Sequence, residues 1–254
     1  MMAYMAESIT DIDRMPRGGP DASCLDRLLQ TDRPEYLDRD DVDEGVKRSV
    51  IRALAWTGEF FGNTEKFARI VLDEVADVPD PKILELGSGH GGLSRKLLEW
   101  HPTAELTVTD VEKQSVKAIA ASDLGEHSRA TVREMDATAI DSPDGHFDLA
   151  VFAFSFHHLS PALASRVFAE GTRVAGKLVI IDLPRPPSPL HLIRLAAMLP
   201  LAPVVPFVHD GVISSLRCYS PSALRALATH ADPEIEVELR GGLMNPQVAV
   251  ASRR

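Results

Sequence analysis

The chain has 254 residues, 44% of them hydrophobic and 25% charged, which suffices for one substantial α/β domain with additions and marks no second independent domain. Its formal charge of −10 comes without any basic run, which excludes nucleic acid as the expected substrate, because phosphate binding needs clustered Lys and Arg. Cys24 and Cys218 show no metal or redox spacing and there is no signal peptide, so a reducing, cytoplasmic setting is expected; the apolar run Leu190 to Val208 is broken by His191, Arg194 and three prolines, so no membrane span is expected.

In chain order, the charge falls unevenly. Twelve acidic and five basic residues lie before position 45, and with Pro16, Gly18, Gly19 and Pro20 among them residues 1–41 read as an acidic, disordered tail. Leu25, Leu28 and Leu29 offer one helical turn at most. From Val42 to residue 78, apolar residues recur at three- and four-residue spacing, which predicts an N-terminal helical cap of two helices around the turn Phe60-Phe61-Gly62-Asn63-Thr64. That turn either touches a ligand or packs on the sheet.

Lys82 to Leu86 then reads as a short buried strand that runs into Gly87-Ser88-Gly89-His90-Gly91-Gly92. Glycine supplies positive φ and lets a ligand approach backbone amides at a helix start, so the turn suits a nucleotide-like ligand. Glu85 is the unusual residue: a carboxylate in an apolar strand needs a positive or hydrogen-bond-donating partner. Leu93, Leu97 and Leu98 give the next helix an apolar stripe, which His101-Pro102 ends. A second strand ends in Asp110, about 20 residues beyond the glycine loop as a ribose diol requires. A third, Ala130 to Glu134, is followed by Met135-Asp136-Ala137. A fourth, Phe147 to Phe152, is followed by Ala153-Phe154-Ser155-Phe156-His157-His158, and a fifth spans Lys177 to Leu183.

Residues 184–219, rich in proline and aliphatics, break the alternation and read as a lid-like insertion, with dimer contact or plain core packing as the other roles open to it. Ser220-Pro221 restarts a helix, and two last strands, Glu234 to Leu239 and Gln247 to Ser252, close the sheet through Gly241-Gly242. Such alternation predicts an α/β, Rossmann-like sheet, mainly parallel, with helices on both faces.

The glycines fit two cofactors, since Gly87-x-Gly89-x-x-Gly92 matches a dinucleotide pattern and Glu85-x-Gly87-x-Gly89-x-Gly91 an S-adenosylmethionine loop. The order of the downstream segments favours the second. ILELGSGHG, TVTDVEKQSV, REMDATAI and FDLAVFAFSFHHLSP together resemble the four successive motifs of the class I S-adenosylmethionine-dependent methyltransferases, in particular the small-molecule branch similar to quinone-biosynthesis methyltransferases. The resemblance covers roughly residues 60 to 183. It implies seven strands with an antiparallel last one, and S-adenosyl-L-methionine as cofactor. It also implies that Glu85 lies near the methionine portion, that Gly87, Ser88, Gly89 and Gly91 wrap the ligand, that Asp110 with Val111 meets the ribose side, and that Asp136 with Ala137 meets the adenine amine. Phe154 falls within the fourth motif and is expected at the cofactor.

His157 and His158 stand at the sheet edge where ligands bind, and one of them is the candidate base for a hydroxyl acceptor; capping or packing is the competing role. The remaining histidines are dispersed, and no metal constellation is expected. The chain lacks the N-terminal signature associated with quinone C-methyltransferases, so the expected acceptor is a small, largely apolar molecule methylated on oxygen. The rivals are an NAD(P)-dependent oxidoreductase and a methyltransferase-like binding protein without turnover; a homodimer is compatible with all three.

Overall fold

The computed structural model describes residues 12–242 and 245–254. The acidic segment comes first with α1 (Cys24–Leu28), capped by Ser23, and is followed by α2 (Glu44–Phe60) and α3 (Asn63–Glu74). Strands and helices then alternate: β1 (Lys82–Leu86), α4 (Gly92–Trp100), β2 (Glu105–Asp110), α5 (Lys113–Ala120), α6 (Asp123–Glu126), β3 (Ala130–Glu134), β4 (Phe147–Ala153), α7 (Pro161–Val174) and β5 (Ala175–Asp182). The chain ends with α8 (Ser188–Met198), α9 (Pro206–Arg217), α10 (Pro221–Ala231), β6 (Ile235–Gly242) and β7 (Asn245–Arg253).

One seven-stranded sheet results, in the order β3-β2-β1-β4-β5-β7-β6. Strands β1 to β5 pair in parallel, and β7 runs antiparallel to both β5 and β6. This is the predicted fold class, including its antiparallel last strand. Because the pleat alternates, Leu84, Leu86, Phe152 and Ile180 face one way, onto α7 and α10, whereas Ile83, Leu149, Val151 and Ile181 face the other, onto α3 and α4. Both faces are covered, as near-continuous apolar strands demand. Among the described residues no helix is long and apolar enough to cross a membrane.

Chain order along the sheet decides where a ligand fits. From β1 the chain moves outward to β2 and β3, then jumps back to β4 on the opposite side. Loops at the carboxyl ends of β1 and β4 therefore leave in opposite directions, and a crevice opens between them at this topological switch point.

Residues 12–41, expected as a disordered tail, instead run against the body of the domain; residues 1–11 lie outside the described part. The reason is three buried guanidinium groups. Arg17 donates to the carbonyls of His157 and Arg217 at 3.1 and 3.0 Å and lies over the Tyr219 ring at 4.5 Å. Arg185 donates to the carbonyls of Asp26 and Leu29 and of Leu216 and Cys218, stitching α1 to the end of α9. Arg217 donates to the His158 carbonyl at 2.5 Å. Arg17 and Arg185 each satisfy several backbone carbonyls at once, so an acidic, proline-rich segment becomes fixed without an apolar core of its own. The insertion over residues 184–219 forms α8 and α9, which enclose a small cluster of Leu195, Ala202 and Val212 and pack on α1 and α2.

Candidate functional site

The glycine turn has the geometry its sequence calls for. Gly87, Gly89 and Gly91 adopt φ of +61°, +57° and +75°, a region that residues with a Cβ enter only at a cost. Gly87 also has no room for a side chain, since a Cβ would stand 2.7 Å from Cε2 of Phe152. Gly89 differs: a Cβ there would meet nothing within 4 Å, so its backbone faces open space. The Ser88 hydroxyl beside it is buried and has no hydrogen-bond partner, an orphan that a ligand's polar group would satisfy.

Glu85 points from β1 toward α4, where the Ser94 hydroxyl donates to its Oε2. Burial, opposed only in part by Ser94 and reinforced by the charge of Asp110, pushes its pKa up to about 7. A buried carboxyl whose hydrogen-bond donors both come from Ser94 still suits a cationic partner.

Asp110, at the end of β2, is nearly buried; it accepts from the Gly89 amide at 2.8 Å through Oδ2 and from the Glu112 amide at 2.8 Å through Oδ1. It thereby ties the glycine turn to the second strand and keeps a lone pair on each oxygen for a further donor. Val111 is 67% exposed at the rim, an apolar face at the crevice mouth. Asp136 follows β3 in a local turn in which the amide and hydroxyl of Thr138 both donate to Oδ1 at 2.8 Å, so that the turn engages one carboxylate oxygen and not the other. Ala137 beside it is half-buried against the core. Glu85, Gly87, Ser88, Gly89, Gly91, Asp110, Val111, Asp136 and Ala137 thus line the carboxyl ends of three neighbouring strands, in the order the resemblance implies.

Phe154 follows β4 with φ of +55°, the single non-glycine residue of positive φ among those described. Its amide donates to the Ile181 carbonyl at 2.8 Å and its ring packs on Phe67 of α3 at 4.9 Å between centroids, contacts that hold the strained backbone. The helical cap therefore reaches the site through Phe67, whereas Phe60 and Phe61 are exposed.

His157 and His158 occupy the next turn, and the structure separates them. His157 is buried; its Nδ1 lies 2.8 Å from Oδ1 of Asp182, its amide donates to Oδ2 of Asp182 at 2.9 Å, and its Nε2 stands 3.4 Å from Glu35 Oε1. Burial favours the neutral ring, but the charge and hydrogen bond of Asp182, joined by Glu35, prevail and raise its pKa to about 9. A ring nitrogen already engaged on both sides is not an open base. His158 is partly exposed, with Nδ1 3.0 Å from Asp38 Oδ2 and Nε2 3.9 Å from Glu35 Oε1.

Sequence reasoning missed Glu35, Asp38, Asp182 and Ser94. Asp182 and Ser94 carry no pattern beyond a strand end and a helix position, and Glu35 and Asp38 sit in an acidic segment whose composition offers no sign of packing. The fold also brings Glu35, from that segment, to the two histidines, so that one donor atom of each lies within 4.8 Å of the others.

Comparison with known proteins points to the same family as the four motifs. A family model described as a methyltransferase domain matches residues 83–177. The demethylmenaquinone methyltransferase of Thermus thermophilus is 27% identical over 195 residues, covering 70% of this chain and 86% of that protein. The malonyl-[acyl-carrier protein] O-methyltransferase of Geobacter sulfurreducens is 33% identical over a shorter stretch, 38% of this chain and 35% of that one. In fold, the chain is similar to a SAM-dependent methyltransferase from Aquifex aeolicus, with a TM-score of 0.53 and 19% identity over 72% of this chain and 88% of that one.

Proposed function

We propose, from the premise that this chain is a class I S-adenosylmethionine-dependent methyltransferase similar to quinone-biosynthesis enzymes, that it methylates an oxygen of a small, largely apolar acceptor. The observation that carries the reading is the joint placement of a buried, uncompensated Glu85, an open Gly89 and a half-used Asp110 at one crevice, with the Asp38–His158 pair at its far lip.

When bound, S-adenosyl-L-methionine supplies a methyl group on a sulfonium, which leaves by in-line displacement. The protein's residues then have to bind, orient and exclude water, and positioning alone supplies several kcal/mol, on the order of the lower end of known effective-molarity effects. Glu85 holds the cofactor's ammonium end, and the Ser88 hydroxyl and the Gly89 backbone lie along its length. Asp110 accepts from the ribose hydroxyls, Val111 covers the base and Asp136 accepts from the adenine amine through Oδ2. Phe154 and Phe67 form an apolar wall between cofactor and acceptor that keeps water away.

On the acceptor side, His158 rather than His157 takes the proton from the acceptor hydroxyl. Asp38 holds its Nδ1–H and stabilises the cation formed when Nε2 is protonated. The exposed apolar residues of α8 and of the α8–α9 turn, Ile193, Leu199, Leu201 and Val204, supply a surface for a phenolic, polyketide-like or lipidic acceptor. The net charge of −10 supports a small molecule over nucleic acid, and two free cysteines support a reducing, cytoplasmic setting.

The demethylmenaquinone relative favours a second reading, carbon methylation of a quinol ring. Transfer of labelled methyl to a panel of phenols, hydroxy fatty acids and a naphthoquinol decides between them: an ether product supports the first, a ring-methylated quinol the second. With an ether-forming acceptor, His158→Gln should lower kcat about 100-fold or more, leaving cofactor affinity in place. Unchanged kcat in that variant refutes the role given to His158.

A further inference from the structure

At the end of β4 three side chains from distant parts of the chain turn metal-binding atoms toward one another. Glu35 Oε1 lies 3.4 Å from His157 Nε2 and 3.9 Å from His158 Nε2. The first separation is long for a hydrogen bond, and all three donor atoms fall within 4.8 Å of each other. Ligands held about 2.0–2.2 Å from a divalent ion stand about 3–3.6 Å apart in tetrahedral or cis-octahedral order, so a small inward movement completes the set.

The far side of each ring is built for the same purpose. His157 Nδ1 faces Asp182 at 2.8 Å and His158 Nδ1 faces Asp38 at 3.0 Å. A carboxylate behind each imidazole holds Nδ1 and turns Nε2 inward, the outer-shell pattern that orients metal-binding histidines. Glu35 is itself positioned by the Ser214 hydroxyl at 2.6 Å and is buried with His157, whereas His158 is partly exposed and gives solvent a way in.

We infer that Glu35, His157 and His158 form a binding site for a divalent transition-metal ion, with Asp182 and Asp38 as its outer shell and at least one coordination position open. Two imidazoles and one carboxylate suit zinc, iron, cobalt or nickel over magnesium or calcium, which prefer oxygen donors throughout. Three protein ligands with an open fourth position is the arrangement of sites that bind a further molecule. With the ion in place His158 Nε2 is a ligand, and the proton-accepting role given to it above belongs to the metal-free protein. The metal site bears on the proposed function in that consequence alone.

The test uses the full chain after dialysis against EDTA, titrated with Zn²⁺ in competition with a chromogenic chelator. The site predicts one equivalent of Zn²⁺, with affinity reduced about 10- to 100-fold in Asp38→Asn and by more in Glu35→Ala and His158→Ala. Circular dichroism and the affinity for S-adenosylhomocysteine report whether each variant is folded. Should Glu35→Ala fail to fold, Co²⁺ added to the parent protein and to His158→Ala decides, since a four- or five-coordinate site gives visible d–d bands far stronger than those of aqueous Co²⁺, and the variant loses them. Uptake well below one equivalent by the parent, or uptake unchanged in folded His158→Ala, overturns the site. Neither readout involves an acceptor, so failure of the metal site leaves the methylation reading standing, and an inert acceptor panel leaves the metal site standing.

Discussion

Glu85 pays a desolvation cost that the cofactor-free protein does not recover. Its folded pKa, raised to about 7 by burial, lies above its ordinary value of 4.5, so the folded chain binds more protons than the unfolded one between these values. Stability of the cofactor-free protein should therefore fall as pH rises from about 4.5 to about 7 and level off beyond. A cationic partner favours the ionised form, so binding of S-adenosylhomocysteine should release a proton near pH 6 and weaken as pH falls below about 7; calorimetry in buffers of different ionisation enthalpy measures both. Glu85→Gln keeps an acceptor for Ser94 and removes the charge. It should raise the melting temperature of the cofactor-free protein at about pH 8 yet weaken cofactor binding roughly 10- to 100-fold, as expected for a lost charge-assisted hydrogen bond. The glycines separate in the same two readouts. Gly89→Ala carries only the left-handed backbone strain, about 1–2 kcal/mol, but places a methyl where ligand is expected, so affinity should suffer more than stability. Gly87→Ala adds a clash with the buried Phe152 ring and should lose stability first, as differential scanning calorimetry will show.

At the scale of elements, the segment before α2 is the structural surprise. Arg17 bridges the carbonyls of His157 and Arg217, so Arg17→Met leaves two buried acceptors unpaired, at roughly 1–3 kcal/mol each. The expected outcome is a melting temperature lower by several degrees and a loss of turnover larger than that of cofactor affinity, because the same bonds hold the His157-His158 turn. Equal loss of both would assign Arg17 to general stability only. None of this was legible in the sequence, where aspartates, glycines and prolines dominate and the three arginines look solvated. Composition reports whether a segment has its own core; it does not report that Arg185 reaches back 159 residues to the Asp26 carbonyl. The helix starts, in contrast, were legible because capping is local: Ser160 and Ser220 accept from the amides three residues on, each before a proline at the first helical position.

For the whole molecule, the alternation of apolar strands and striped helices was enough to read the sheet and the chain order in which Glu85, Asp110 and Asp136 fall at its strand ends. Those features depend on neighbours in sequence or on one rule of handedness. The acceptor side proposed here was not readable, since the residues assigned to it, 35–38, 154–158, 182 and the α8–α9 insertion, meet only in the closed fold. The most direct measurement is a crystal structure of the protein with S-adenosylhomocysteine. The ribose hydroxyls should lie at Asp110, the amino group near Glu85 and the sulfur beside Phe154, facing His158. A nucleoside bound elsewhere, or one whose sulfur faces away from His158, would contradict the cofactor and acceptor placement together.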